Sequence, residues 1–312
     1  MASEEHLSQL NQSVTDWNQW RESITVQPDL SKADLSKRDL SYINLSHANL
    51  SRACLFGTVL AYANLQGVNL AGADLSGVDL NHANLTAADL TDANLLGAYI
   101  EGANLANANL TGAKLNRTDL NDVTLERARL DKATLVGAEL NRTDLNQAVL
   151  TAADLNRASL ENASLTGANL QGANLSGARF NRATLNGANL TGAMMEGTRF
   201  NRADLSNSDL SDAKLVGASL LGTKLQSANL SRVDLSHANL SGANLSHATI
   251  DATNFDYTNL EGAIFEGVDL SLINFSAVPN RPEPDLGELE SQDDLLAISF
   301  PIEIVQPDLL EI

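Results

Sequence analysis

The sequence predicts an all-β solenoid closed at its N-terminal end by an α-helix. Three observations carry this. A large apolar residue stands at every fifth position from Leu30 to Phe275, 50 positions without a miss, and 42 of them are Leu. Two residues before each, the side chain is small in most repeats, and 33 of the 50 are Ala. The residue immediately before is Asp or Asn in 30 of the 50. A period of five fits neither a helix at 3.6 nor a strand at 2.0. It requires a unit that turns after every five residues and sends one large and one small side chain inward. Asn, Asp and Gly at recurrent positions suit such turns. One unit buries nothing alone, so units must stack.

The elements follow in chain order. In residues 1–28, Leu7, Leu10, Val14 and Trp17 recur at helical spacing. Ser3 can cap the N-terminus, with Glu4 and Glu5 in the first turn. This predicts one helix over about 4–21, laid across the first coil to cover its open end. Trp17 and Trp20, the only tryptophans, fill that cap or contact a partner.

Residues 29–275 form the repeat. Its large slot departs from Leu only at Ile100, Phe180, Met195, Phe200, Ile250, Phe255, Phe265 and Phe275. Stretches such as "ANLSGANLSHATI" and "ADLSGVDLNHANLTAADL" show the unit plainly. They resemble the pentapeptide-repeat family, whose pattern is Ala-(Asp/Asn)-Leu-X-X. The resemblance implies a right-handed quadrilateral β-helix with four pentapeptides per coil. The 50 units would make about 12.5 coils, a rod about 60 Å long at ~4.8 Å per coil. No insertion breaks the frame, so no loop is expected to protrude. The lead-in "WNQWRESITVQPDLS" looks like cyanobacterial members.

Residues 276–312 change character. They hold nine acidic residues against one basic, and five of the six prolines. "VPNRPEPDLGELESQDD" reads as an extended acidic linker. "LLAISFPIEIV" (295–305) is apolar and reads as a partly ordered cap or a docking peptide.

The net charge of −19 argues against non-specific binding to nucleic acid or anionic lipid. Cys54 is the only cysteine, which rules out an intramolecular disulfide. Residues 53–73 carry no charge but are broken by Asn, Gln and Gly, unlike a membrane span. "MASEEHLSQLNQ" has no apolar core of a secretory signal. The expectation is a cytoplasmic protein that does not touch membranes.

Chemistry is sparse. His6, His47, His82, His237 and His247 form no ligand pair under a 20-residue coil, and none faces a nucleophile. Asp occupies an outward slot, where carboxylates would be solvated. No phosphate-binding glycine loop is present. We expect no enzyme activity, metal or cofactor.

What remains is surface. Residue numbers modulo 20 sort outward side chains by face. On the face built on Leu40, Leu60, Leu80 and onward, Tyr42, Tyr62 and His82 should stack in one column. Val59 and Tyr99 stand in a neighbouring one. Further along come Arg142, Arg179, Arg182, Arg199 and Arg202. The tetrapeptide Arg-Phe-Asn-Arg occurs at 179 and again at 199, one coil apart. Its Phe falls in the inward slot, and its arginines face out. Glu161 offsets part of their charge, and 218–222 carries none. Aromatic anchors and arginines are enriched at interfaces. The alternative is ladder stabilisation and tolerated surface charge.

These features point to a rod-like protein–protein interaction scaffold, of a regulatory kind that the cyanobacterial resemblance implies, with an unidentified protein partner. An end-to-end dimer is one assembly open to such a rod. A second reading is a DNA-mimic modulator of DNA gyrase, an activity of some family members. Its acidic charge should sit on the rod. Yet residues 29–275 carry 18 basic against 26 acidic groups, only −8. A third reading is a spacer whose surface does nothing.

Overall fold

The computed structural model describes residues 2–274 and 277–279. The described residues all belong to one compact unit. The readings of 280–312 and of Phe275 lie outside the described residues.

Parallel bridges join residues 20 apart, as in Asn44 with Asn64 and Asn64 with Asn84. A 20-residue register means four pentapeptides per coil. Bridging residues recur every five positions from Asp29 to Ile264, 48 in all, which makes 12 coils. The large slot is sealed: Leu30 through Leu260 are all at most 3% exposed. Threonines in the small slot keep their hydroxyls satisfied. Thr58 and Thr198, for example, each donate at 2.8 Å to a carbonyl 23 residues earlier.

Each pentapeptide spends its N–H groups in a fixed way. Leu45 donates to Asn64 O at 2.8 Å, and Asn64 donates back to Ile43 O at 2.9 Å. Ala48 donates to Leu45 O at 3.0 Å, closing a β-turn. His47 donates to Gln66 O at 2.8 Å. With most N–H groups of the repeat engaged in this way, proline has little place, and none lies between 29 and 275.

The remaining N–H explains the Asp/Asn slot. Asn44 Oδ1 accepts from Ser46 N at 3.1 Å, an Asx turn. Where another residue fills the slot, an asparagine one coil back can take over. Thus Glu161 N, which follows Ser159, donates to Asn141 Oδ1 at 3.0 Å. These side chains are turn acceptors and still face outward, as expected: Asp34 and Asp39 are exposed.

Acid stability follows. Serine hydroxyls two residues on donate to Asp34, Asp39 and Asp74 at 2.6, 2.7 and 2.6 Å. Those hydroxyls first, with the backbone N–H groups, hold the three carboxyls below their usual range; burial opposes them, more at Asp74 than at Asp34 and Asp39. A depressed folded pKa stabilises fully above the unfolded value, about 3.9, and the gain is lost as pH falls through the lower folded value. We expect the urea midpoint to hold from pH 7 to about 4.5 and fall below about 4. Asp→Asn at these sites keeps the turn and flattens the fall. A wild-type midpoint unchanged down to about pH 2.5 would contradict this.

The turn also imposes a left-handed backbone. The second residue after each large one has φ between 53° and 69°, and 29 of these 48 residues are not glycine. Gly77 has open space where a Cβ would sit, whereas a Cβ on Gly67 would lie 2.5 Å from His47 Nδ1. Gly77→Ala should therefore cost about 1 kcal/mol from backbone strain alone. Gly67→Ala should cost more, because the His47 ring must also move. Equal urea midpoints for the two variants would remove the ring contact from the account.

The N-terminal end departs from the single helix expected. It holds two, α1 (Glu4–Leu10) and α2 (Val14–Ser23). Ser3 caps α1 as expected, accepting from His6 N. Ser13 interrupts the helix. Its hydroxyl accepts from Asp16 N at 3.0 Å and donates to Asp16 Oδ2 at 2.6 Å, starting α2 afresh. Side chains of α2 then satisfy the open edge of the first coil. Trp17, fully buried, donates its indole N–H to Asn44 O at 2.8 Å. Asn18 accepts from Asn44 N at 2.8 Å and donates to Tyr42 O at 3.1 Å. Arg21 donates to Ser46 O at 2.7 Å.

At the other end the frame slips before its sequence does. Tyr257 N donates to Ala277 O, 20 residues on, where the corresponding bonds of earlier coils, such as His237 N to Asp256 O, span 19. Leu270–Leu272 form a 3-10 turn, and Phe265, Val268 and Leu270 are only partly buried. The apolar period of the sequence continues to Phe275, but among the described residues the last bridge is Asn244 with Ile264.

Candidate protein-binding face

The 20-residue register sets outward side chains one above another, about 4.8 Å apart. On the Leu40 face it brings Tyr42, Tyr62 and His82 together. The two tyrosine rings lie 5.1 Å apart and 5° from parallel, and His82 continues the stack at 5.0 Å. All three residues hold the left-handed turn position. The stack ends at Gly102, where a Cβ would lie 2.5 Å from His82 Nδ1, so the imidazole leans over bare backbone. Tyr42 and Tyr62 remain 66% and 52% exposed despite stacking. Tyr99, 61% exposed, bridges Asp79 and Asp119 in the adjacent column.

The arginines divide into two kinds. A cation whose neighbour one coil back is acidic pairs with it. Arg142 grips Asp122 through Nε at 2.7 Å and a second guanidinium nitrogen, and Arg232 grips Asp212 in the same way. Arg142, expected on this face, is thereby paired, apart from the four-arginine cluster of Arg179, Arg182, Arg199 and Arg202. Arg179 lies 3.6 Å from Glu161. Arg182, Arg199 and Arg202 have Asn162, Arg179 and Arg182 one coil back and no ion-pair partner among the described residues. Arg179 and Arg199 bridge directly.

Asn181 sits between these arginines. Its Nδ2 donates to Glu161 at 3.5 Å, and its Oδ1 is buried without a partner among the described residues. Sequence reasoning missed that atom and the His237–Tyr257 stack, whose rings lie 4.9 Å apart on another face. The stack was detectable, because 237 and 257 differ by one coil. Among the described residues no three His, Cys, Asp or Glu side chains gather as metal ligands, and no helix is long and apolar enough to cross a membrane.

With the 20-residue register and the sealed Leu column in place, the family model for pentapeptide repeats matches stretches that run from residue 29 to 267. The chain is a pentapeptide repeat protein. Its coils are those of a right-handed quadrilateral β-helix. As a pentapeptide repeat protein it is similar to HetL from the cyanobacterium Nostoc sp. strain PCC 7120, described as involved in heterocyst differentiation regulation. Identity is 33%, covering 75% of this chain and 89% of HetL, with a TM-score of 0.33. A thylakoid-lumen pentapeptide repeat protein of Arabidopsis thaliana is 35% identical over 31% of this chain and 68% of its own, with a TM-score of 0.31. QnrB1, a plasmid-mediated fluoroquinolone resistance protein, is 19% identical over 68% and 84% of the two chains, with a TM-score of 0.20. No curated protein matches at a significant level.

Proposed function

We propose that this pentapeptide repeat protein is a non-enzymatic, cytoplasmic rod that acts by binding protein through its Leu40 face. One observation carries the reading. On a chain of net charge −19, Arg182, Arg199 and Arg202 stand on that face without a carboxylate, in line with three stacked exposed rings. Arginine and tyrosine supply most of the energy at protein interfaces, and a guanidinium fork suits an acidic partner. A regulatory role accords with that of HetL, which is involved in heterocyst differentiation regulation.

The test is recovery of partners from the native cell by full-length bait. Arg179→Glu, Arg182→Glu, Arg199→Glu and Arg202→Glu together should abolish capture. Unchanged recovery would sink the reading. The DNA-mimic alternative has the overall acidity in its favour, but the rod carries only 26 acidic against 18 basic residues. Purified protein at stoichiometric amounts should leave gyrase supercoiling unchanged; inhibition would favour the alternative.

A further inference from the structure

We propose that the occupant of the Leu40 face is the same face of a second copy, running antiparallel about a two-fold axis beside Leu120. The proposal rests on the reading of this face as an interaction surface and names its partner.

The columns are self-complementary under that operation. Turning one rod over about an axis across the face keeps each column opposite its own kind and reverses its order. The coil of Leu40 then meets the coil of Phe200, and that of Leu60 meets that of Phe180. In the turn-position column, Tyr42 faces Arg202 and Tyr62 faces Arg182. These are aromatic rings against guanidinium groups that lack a carboxylate, a cation–π arrangement. In the bridging column, exposed Asp39 faces exposed Arg199, and Tyr99 faces Glu139. In the column between them, Asn81 faces Glu161 and Glu101 faces Asn141. Two-fold symmetry repeats each contact, so a modest set of pairs counts twice.

Other arrangements are worse. A shift of one coil either way sets Glu139 opposite Asp119 or Asp79, twice each. A parallel two-fold sets Arg179 against Arg182 and Arg199 against Arg202. In the favoured register the like-charge contacts fall only on the axis. They are Asp119 with its copy, and Asp122, which already holds Arg142. The contact spans eight coil steps, about 40 Å, by a width of about 12 Å, burying about 1,000 Å² in total. That is the lower edge of a specific interface, so the dimer should be reversible.

The test is sedimentation equilibrium of the full chain over a concentration series. Asp39→Arg and Arg199→Asp should each raise the dissociation constant by about tenfold or more, and the double variant should return it to within about threefold of wild type. In a Cys54→Ser background, Asp119→Cys lies on the axis and should be joined to its copy by a short bis-maleimide. Asp79→Cys lies four coils from its copy and should not. A monomer up to about 100 μM, reversal without rescue, or equal cross-linking of both cysteines would overturn the proposal. A monomer whose arginine variants still lose their cellular partner would end the dimer but leave the interaction face standing. A dimer with unchanged partner recovery would do the reverse.

Discussion

Trp17→Ala is expected to cost about 3–5 kcal/mol, the range for deleting a buried aromatic side chain. Trp17 is fully buried, and its ring lies 5.0 Å from Trp20. Its indole N–H is the donor at Asn44 O. Removing it leaves a cavity beneath α2 and an unpaired carbonyl on the first coil, which adds about 1–3 kcal/mol if water cannot reach it. Asn18 and Arg21 hang on the same helix, so loosening α2 also frees Tyr42 O and Ser46 O. An uncovered coil edge templates pairing with another chain. Urea unfolding should therefore show a lower midpoint, and light scattering should show association beyond that of wild type. Trp17→Phe keeps most of the apolar volume and loses the hydrogen bond, so it should cost about 1–2 kcal/mol. If Trp17→Ala stayed within about 1 kcal/mol of wild type, α2 would not be closing the rod.

Phe200→Ala should cost a similar amount, about 3–5 kcal/mol, for a different reason. Phe180 and Phe200 stack in the large slot with ring centroids 5.0 Å apart, both fully buried. The cost depends on how far a site can collapse after truncation. Here collapse is restrained, because Phe180 N and Phe200 N each donate at 2.7 Å to the next coil. The cavity should persist, which places the loss toward the upper end of the range. Phe200→Leu restores the ordinary occupant of the slot and should cost about 1–1.5 kcal/mol. Because Phe200 points inward, Phe200→Leu should leave capture by Arg199 and Arg202 intact. Lost capture in a folded Phe200→Leu protein would mean that core packing sets the arginine positions.

The core was legible because its rule is strict: one large and one small side chain in five. The four-sided coil was not contained in that period and came from the family resemblance. Once a 20-residue coil is accepted, arithmetic places Tyr62 over Tyr42 and Arg199 over Arg179. The same arithmetic places Arg142 over Asp122 and Tyr257 over His237, pairings that a search by residue type passes over. Ser13 was harder to read. The apolar spacing from Leu10 to Val14 and Trp17 runs through it, and only the Ser13–Asp16 cap shows the break. The role of the Asp/Asn slot lay in backbone geometry, since an outward side chain looks solvated until the N–H two residues on is accounted for. The slip between Tyr257 and Ala277 had no local signal, because the five-residue frame runs through it unbroken to Phe275.

A rod whose coils bond only to the coil before and the coil after has consequences under load. Drawn apart by its two ends, it should peel, because only one coil's set of bonds bears the tension at a time. Each event would release 20 residues, about 65–70 Å of extended chain. The protein would lengthen in near-equal steps at modest force instead of failing at once. Peeling should begin at the half-buried turn beyond Phe265 and move toward α2, whose indole anchor should give way last.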